Sequence, residues 1–173
     1  AWYIKNLKDS AQMRNLVCRI ENLDELIKTL DKYTEFLINE DVKNIVIGYD
    51  GRISSPILAK KIINGMVTSG AHVTNIGLCH TPLVYFAFAT GKFDLGIMVT
   101  GSHNPKDHNG FKIIDKDSTF FGAQIRKIFE RIRSQAFMDG SGREILINTT
   151  MRDYVKRIFH DLDIFGNINI AWD

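Results

Sequence analysis

Apolar positions along the chain follow two alternating rhythms. In residues 22–39, Leu23, Leu26, Ile27, Leu30, Tyr33 and Leu37 fall at steps of three and four. That spacing predicts an amphipathic helix, with Asn22 as its cap and Glu25 completing a capping box. Residues 44–49, NIVIGY, form a short β-branched run and predict a buried strand. In DGRISSP the Asp-Gly pair marks a turn. Ser55 is placed as an N-cap and Pro56 as the first helical residue, and the helix runs to about Ser69 and stops at Gly70. A strand follows at 72–77, then a helix from Thr81-Pro82 to Gly91, then a strand at 94–99.

Strand, helix, strand, helix, strand at this spacing predicts an α/β layer with crossover helices. Beyond the loop at 100–109, GFKIID reads as a fourth strand. A helix is predicted at 122–135, with Ile125, Ile128, Phe129 and Ile132 inward. A turn-rich patch, MDGSGRE, leads to a short strand, EILIN. The last helix is predicted from Thr150 to Leu162, with Met151, Tyr154, Val155, Ile158, Phe159 and Leu162 on one apolar face. The final residues, INIAWD, read as a strand ending on Asp173. In an α/β protein chemistry sits on the loop after such a strand. The expectation is therefore one domain over 1–165 and the start of a truncated second domain at 166–173.

Composition narrows the function classes. A length of 173 residues fits one core-forming domain. Hydrophobic residues make up 45% and charged residues 24% of the chain. The net charge of +2 gives no basic cluster suited to nucleic acid or a membrane surface. Cys18 and Cys79 form no CxxC pair, so neither a cysteine zinc site nor a disulfide framework is expected. That usage fits a reduced, cytoplasmic protein. No apolar run approaches membrane-span length, and the sequence Asn148-Thr149-Thr150 reads as a chance sequon.

The loop TGSHNPKDHNG leaves the carboxyl end of a predicted buried strand, where α/β folds place ligands. Gly101 allows another group close to the backbone. Ser102 offers a hydroxyl nucleophile. Asn104 precedes Pro105 and is pushed toward extended geometry. Asp107 to Gly110 reads as a turn, and Lys112 opens the next strand as a cation able to hold a phosphate or a carboxylate. By residue type alone Ser102 suits a structural turn as well as a site. His103 and His108 suit loop hydrogen bonding as well as metal ligation. The G-x-S-x-G elbow and the P-loop are both absent.

Taken together, TGSHNP with a downstream NGFK resembles the phosphoserine loop of the α-D-phosphohexomutases. GYDGRISSP resembles that family's first-domain Asp-Arg turn, and GLCHTPLVYFA its Gly-x-x-x-Thr-Pro segment. The resemblance is close over residues 43–115 and looser to the end. The Phe of NGFK and the Gly of TGSHN favour the phosphomannomutase/phosphoglucomutase branch over the phosphoglucosamine branch.

The resemblance implies a layered α/β/α domain with a mixed, mostly parallel sheet. It implies an enzyme that moves phosphate between the 6- and 1-positions of a hexose through a bisphosphorylated sugar. Ser102 would carry the phosphoryl group, with Mg2+ on one of its phosphate oxygens. His103 would lie beside it, and Lys112 would contact the phosphate and the reacting hydroxyl. Gly101, Asn104 and Arg52 are the expected phosphate and substrate contacts. Phosphoryl transfer needs mainly positioning and cationic stabilisation, which suits these residue types.

The departures from the family pattern are equally specific. Its opening Tyr-Asp-x-Arg-Gly segment is replaced here by KNLKDSAQ. The family's metal-binding aspartates, sugar-reading loop and distal phosphate site belong to later domains, which are the expected partners of this one. The isolated chain is accordingly expected to lack turnover. The alternatives are a decayed, non-catalytic homologue and an isolated phosphate-binding module.

Overall fold

The structure is a computed structural model. It describes residues 42–116, 119, 120, 122, 124, 126, 139–160, 162, 166 and 169. The helix predicted at 22–39 lies outside these residues. So do most of the helix predicted at 122–135 and most of the terminal strand.

The alternating elements are β1 (Asn44–Tyr49), α1 (Ser55–Thr68), β2 (His72–Leu78), α2 (Thr81–Thr90) and β3 (Leu95–Val99). They are followed by β4 (Phe111–Ile114), β5 (Arg143–Leu146) and α3 (Thr150–His160). Five strands form one sheet in the order β4-β3-β1-β2-β5. The pairs β1–β2, β1–β3 and β2–β5 are parallel, and β3–β4 is antiparallel.

Alternate residues of each strand feed opposite faces, as a pleated strand requires. Ile45, Ile47, Val73, Leu95, Ile97 and Val99 pack with Leu58, Ile62 and Met66 of α1. Val46, Ile76 and Met98 pack with Leu83 and Val84 of α2. Helices thus cover both sides of a mixed, mostly parallel sheet, as the sequence predicts. Because the chain leaves β1 for β2 on one side and enters β3 on the other, β1 and β3 flank the point where the winding reverses. In open α/β sheets the crevice at that point receives ligands. Gly48, the penultimate residue of β1, is required by packing against α2 and the turn before it: a Cβ there would lie 2.5 Å from Cys79 Sγ and 2.9 Å from Val84 Cγ2.

Three details differ from the sequence reading. Ser55 is the first residue of α1, and Ser54 occupies the N-cap without a side-chain capping bond. The Ser55 hydroxyl is drawn into a buried network described below. Asp94 lies just outside β3, where its Oδ2 accepts the backbone N–H of Lys43 at 3.0 Å and of Asn44 at 2.9 Å, tying down the entrance to β1.

The third difference is α3, which ends at His160. Tyr154 on its predicted apolar face packs edge-on to His80 and Phe86, at ring separations of 5.8 and 5.3 Å. Met151, Val155, Ile158, Phe159 and Leu162 remain exposed among the described residues. No helix among these residues is long and apolar enough to cross a membrane.

Candidate functional site

The parallel pairing of β1 with β3 puts the carboxyl ends of both strands side by side. Asp50 N donates to Val99 O at 3.0 Å, and Thr100 N donates to Gly110 O at 2.9 Å. The second bond closes the loop that begins after β3. Within it, Asn104 N donates to Gly101 O and His108 N to Pro105 O, each at 3.0 Å, so two turns follow in succession.

Asp50 anchors the site. Its carboxylate accepts the Ser55 hydroxyl, the Thr100 hydroxyl at 2.8 Å, and both the backbone N–H and Nε of Arg52 at 3.2 Å. Burial pushes the Asp50 carboxyl up. Hydrogen bonds from Ser55, Thr100, and the backbone and side chain of Arg52 outweigh that, and the net direction is down. Thr100 Oγ1 in turn accepts the backbone N–H of Ser102 at 2.8 Å. Asn109, almost fully buried, donates through Nδ2 to the hydroxyls of Ser54 at 2.9 Å and Ser55 at 2.7 Å. Its Oδ1 accepts Gly110 N at 2.8 Å.

Ser102 sits in the left-handed region, with φ of 54°. For a non-glycine residue this costs of order 1–3 kcal/mol and persists only where surrounding contacts enforce it. Its side chain is exposed, with Oγ 3.4 Å from His103 Nδ1. His108 Nδ1 lies 3.1 Å from the Asp107 carboxylate.

The guanidinium of Arg52 reaches into the loop from the other side. Nη1 donates to Pro105 O and to His108 O at 2.9 Å. Nη2 donates to Ser102 O and Asn104 O, both at 2.8 Å. Gly101 lies against this group: a Cβ there would be 2.6 Å from both Arg52 Nε and His108 O.

The expected site residues therefore fall into three sets. Gly101, Ser102, His103 and Asn104 share one hydrogen-bonded loop at the β3 carboxyl end. Lys112 stands on β4 opposite Met98, on the α2 side of the sheet, since paired residues share a face. Arg52, expected as a phosphate or substrate contact, directs its guanidinium into the loop backbone. Gly101 admits that guanidinium.

The supporting roles of Asp50, Ser55, Thr100 and Asn109 were not foreseen from the sequence. The available signal was polar residues directly at the carboxyl ends of two adjacent buried strands. Among the described residues no group of three or more His, Cys, Asp and Glu side chains could hold a metal ion. Mg2+ demands several oxygen ligands, and the Asp50 carboxylate already accepts four hydrogen bonds. These residues alone do not make a Mg2+ site.

Comparison with known proteins agrees with this architecture. A family model described as phosphoglucomutase/phosphomannomutase, alpha/beta/alpha domain I, matches residues 12–139. A phosphomannomutase/phosphoglucomutase of Pseudomonas syringae pv. tomato is 38% identical over 130 residues, covering 75% of this chain and 28% of that protein. A phosphoglucosamine mutase of Methanococcus maripaludis is 34% identical over 160 residues, covering 90% of this chain and 35% of its own length. The crystal structure of a phosphoglucomutase/phosphomannomutase family protein from Burkholderia thailandensis superposes with a TM-score of 0.73 at 29% identity. That match covers 82% of this chain and 33% of the other. The chain thus spans about a third of the length of these relatives.

Proposed function

The chain belongs to the phosphoglucomutase/phosphomannomutase family, as its alpha/beta/alpha domain I, and on that premise we propose that it is the phosphoserine-bearing domain of a phosphohexomutase. In this reading the full-length protein interconverts hexose 6-phosphate and hexose 1-phosphate through a bisphosphorylated sugar. The supporting observation is the exposed Ser102 hydroxyl, presented by a fixed backbone at the carboxyl end of β3.

Ser102 Oγ carries the phosphoryl group. In one half-reaction the Oγ–P bond breaks as a sugar hydroxyl oxygen bonds to phosphorus, and the hydroxyl proton ends on the serine oxygen. In the other half the sugar's second phosphoryl group bonds to Ser102 Oγ, and the serine proton passes to the sugar oxygen left behind. His103, 3.4 Å from Oγ, is suited to relay that proton. Lys112 supplies a cation from the neighbouring strand for the phosphate charge. Gly101 and Asn104 shape the loop around it.

When bound, Mg2+ neutralises charge on the phosphoserine, its remaining ligands coming from outside the described residues. The sugar is assigned to the mannose/glucose branch on the Phe of NGFK and the Gly of TGSHN, although both branches contain relatives of this chain. A cytoplasmic setting fits Cys79, which is buried and free. The later domains of such an enzyme are its partners, and the 173 residues alone are expected to show no turnover.

The test is phosphate on Ser102. Full-length protein is incubated with glucose 1,6-bisphosphate and followed by intact mass and peptide mapping. One phosphate on Ser102, absent from Ser102→Ala, is the expected result. A folded full-length protein that stays unphosphorylated at Ser102 refutes the mutase reading and favours a decayed homologue.

A further inference from the structure

We propose that Arg52 is a positioning residue whose guanidinium is the template on which the Ser102 loop is folded, and that it is not a phosphate ligand. A guanidinium has five N–H donors in a planar fork. Here all five are engaged: Nε with Asp50 Oδ2, and the two Nη groups with the carbonyls of Ser102, Asn104, Pro105 and His108. Four carbonyls from a seven-residue span converge on one side chain about fifty positions earlier in the chain. No donor remains for a phosphate oxygen.

The convergence fixes Ser102 from both sides. Its carbonyl is held by Arg52, and its N–H by Thr100 Oγ1, which is itself held by Asp50. Asp50 and Arg52 are also bonded to each other. One ion pair at the end of β1 thus holds both peptide groups of a left-handed serine at the end of β3. Gly101 supplies independent support, since only a residue without Cβ leaves room for the guanidinium.

A lysine at position 52 would keep the charge and lose the fork. If Arg52 were a phosphate ligand, Arg52→Lys would chiefly weaken binding of the sugar bisphosphate. If it is the template, the bound sugar would meet a misplaced Ser102. Displacement of a reacting group by about 1 Å can cost ~100-fold in rate.

Two readouts in full-length protein test this. The first is the rate of Ser102 phosphorylation against glucose 1,6-bisphosphate concentration, and it rests on the proposed phosphoserine role. For Arg52→Lys the maximal rate should fall ~100-fold, with the half-saturating concentration changed by less than about threefold. The second is tryptic cleavage at Lys106, within the loop, which needs no enzymatic activity. Cleavage should accelerate in Arg52→Lys and in Arg52→Ala. In Arg52→Ala, millimolar methylguanidinium should restore protection and methylammonium should not. Unchanged cleavage in both variants overturns the proposal, as does a retained maximal rate with a weakened half-saturation. An unphosphorylated wild type with accelerated Lys106 cleavage in the variants refutes the phosphoserine reading and leaves the template supported.

Discussion

Replacing Gly101 with alanine tests the loop packing by adding one methyl group. The new Cβ would lie 2.6 Å from Arg52 Nε and 2.6 Å from His108 O, and closer still to Arg52 Cζ. Carbon contacts settle at about 3.5–4.0 Å, so the guanidinium must retreat by roughly 1 Å. Its bonds to Ser102 O, Asn104 O and His108 O, now 2.8–2.9 Å, would then exceed the range of about 2.7–3.2 Å in which N–H donors bond well. Losing two to four bonds at about 1 kcal/mol each costs ~2–4 kcal/mol, taking a low value per bond because water reaches part of the loop. Alanine also restricts the unfolded chain, which returns about 0.4–1 kcal/mol. The net expectation is a loss of ~1–3 kcal/mol. The control is Gly110→Ala, whose nearest neighbour would be Thr100 O at 3.5 Å; it should cost less than about 1 kcal/mol. Urea unfolding gives the global term, and tryptic cleavage at Lys106 gives the local one. Equal behaviour of Gly101→Ala and Gly110→Ala in both assays would refute the close packing of Arg52 on Gly101.

Two further outcomes follow from the same network. Asp50 has its carboxyl held below the ordinary range, so its stabilisation is complete above the unfolded carboxylate value of about 3.9 and is lost as pH falls through the lower folded value. Amide hydrogen-exchange protection of the loop, which needs no protease, should therefore decline on acidification below about pH 3.9 in wild type and be low and flatter in Asp50→Asn; identical acid profiles would contradict this. At Ser102 the left-handed backbone predicts that Ser102→Gly is more stable than Ser102→Ala by ~1 kcal/mol, read by urea unfolding, although neither can accept a phosphate. Equal stabilities would mean that the serine conformation carries no strain.

The sheet was legible because its signals are local. NIVIGY and DLGIMV are too apolar to be anything but buried, and β1 and β3 fall where those runs fall, β3 one residue shorter because Asp94 turns back to the Lys43 and Asn44 amides. The Ser102 loop was legible as a candidate site through its position after a buried strand and its Gly, Ser, His, Asn and Pro content. Ser55 was misplaced as a cap because serine next to proline carries the same local signal in either role. Only the Asp50 carboxylate five residues earlier and the Asn109 amide from the far loop, which engage its hydroxyl, decide between them. The face of α3 was legible as apolar, but periodicity alone does not say what covers it, and among the described residues only Tyr154 has clear aromatic partners. The role of Arg52 was the least legible feature. Its acceptors are backbone carbonyls, which every residue has, so no side-chain pattern marks them.

The topology explains why this clamp is possible. The proposed phosphoserine role rules out glycine at position 102, yet the turn there runs through a backbone region that glycine adopts at least cost. A serine can hold that conformation only if its flanking peptide groups are fixed from outside the loop. Parallel pairing of β1 with β3 brings the two carboxyl ends level, so residues just after β1 face residues just after β3 without any long excursion of the chain. Asp50 and Arg52 are the first charged residues past β1, and they meet Thr100 and Ser102, the first hydroxyls past β3. The Asp-x-Arg turn and the serine loop are thus two halves of one device. Each alone is a surface turn; together they hold Ser102 in a conformation that neither could impose.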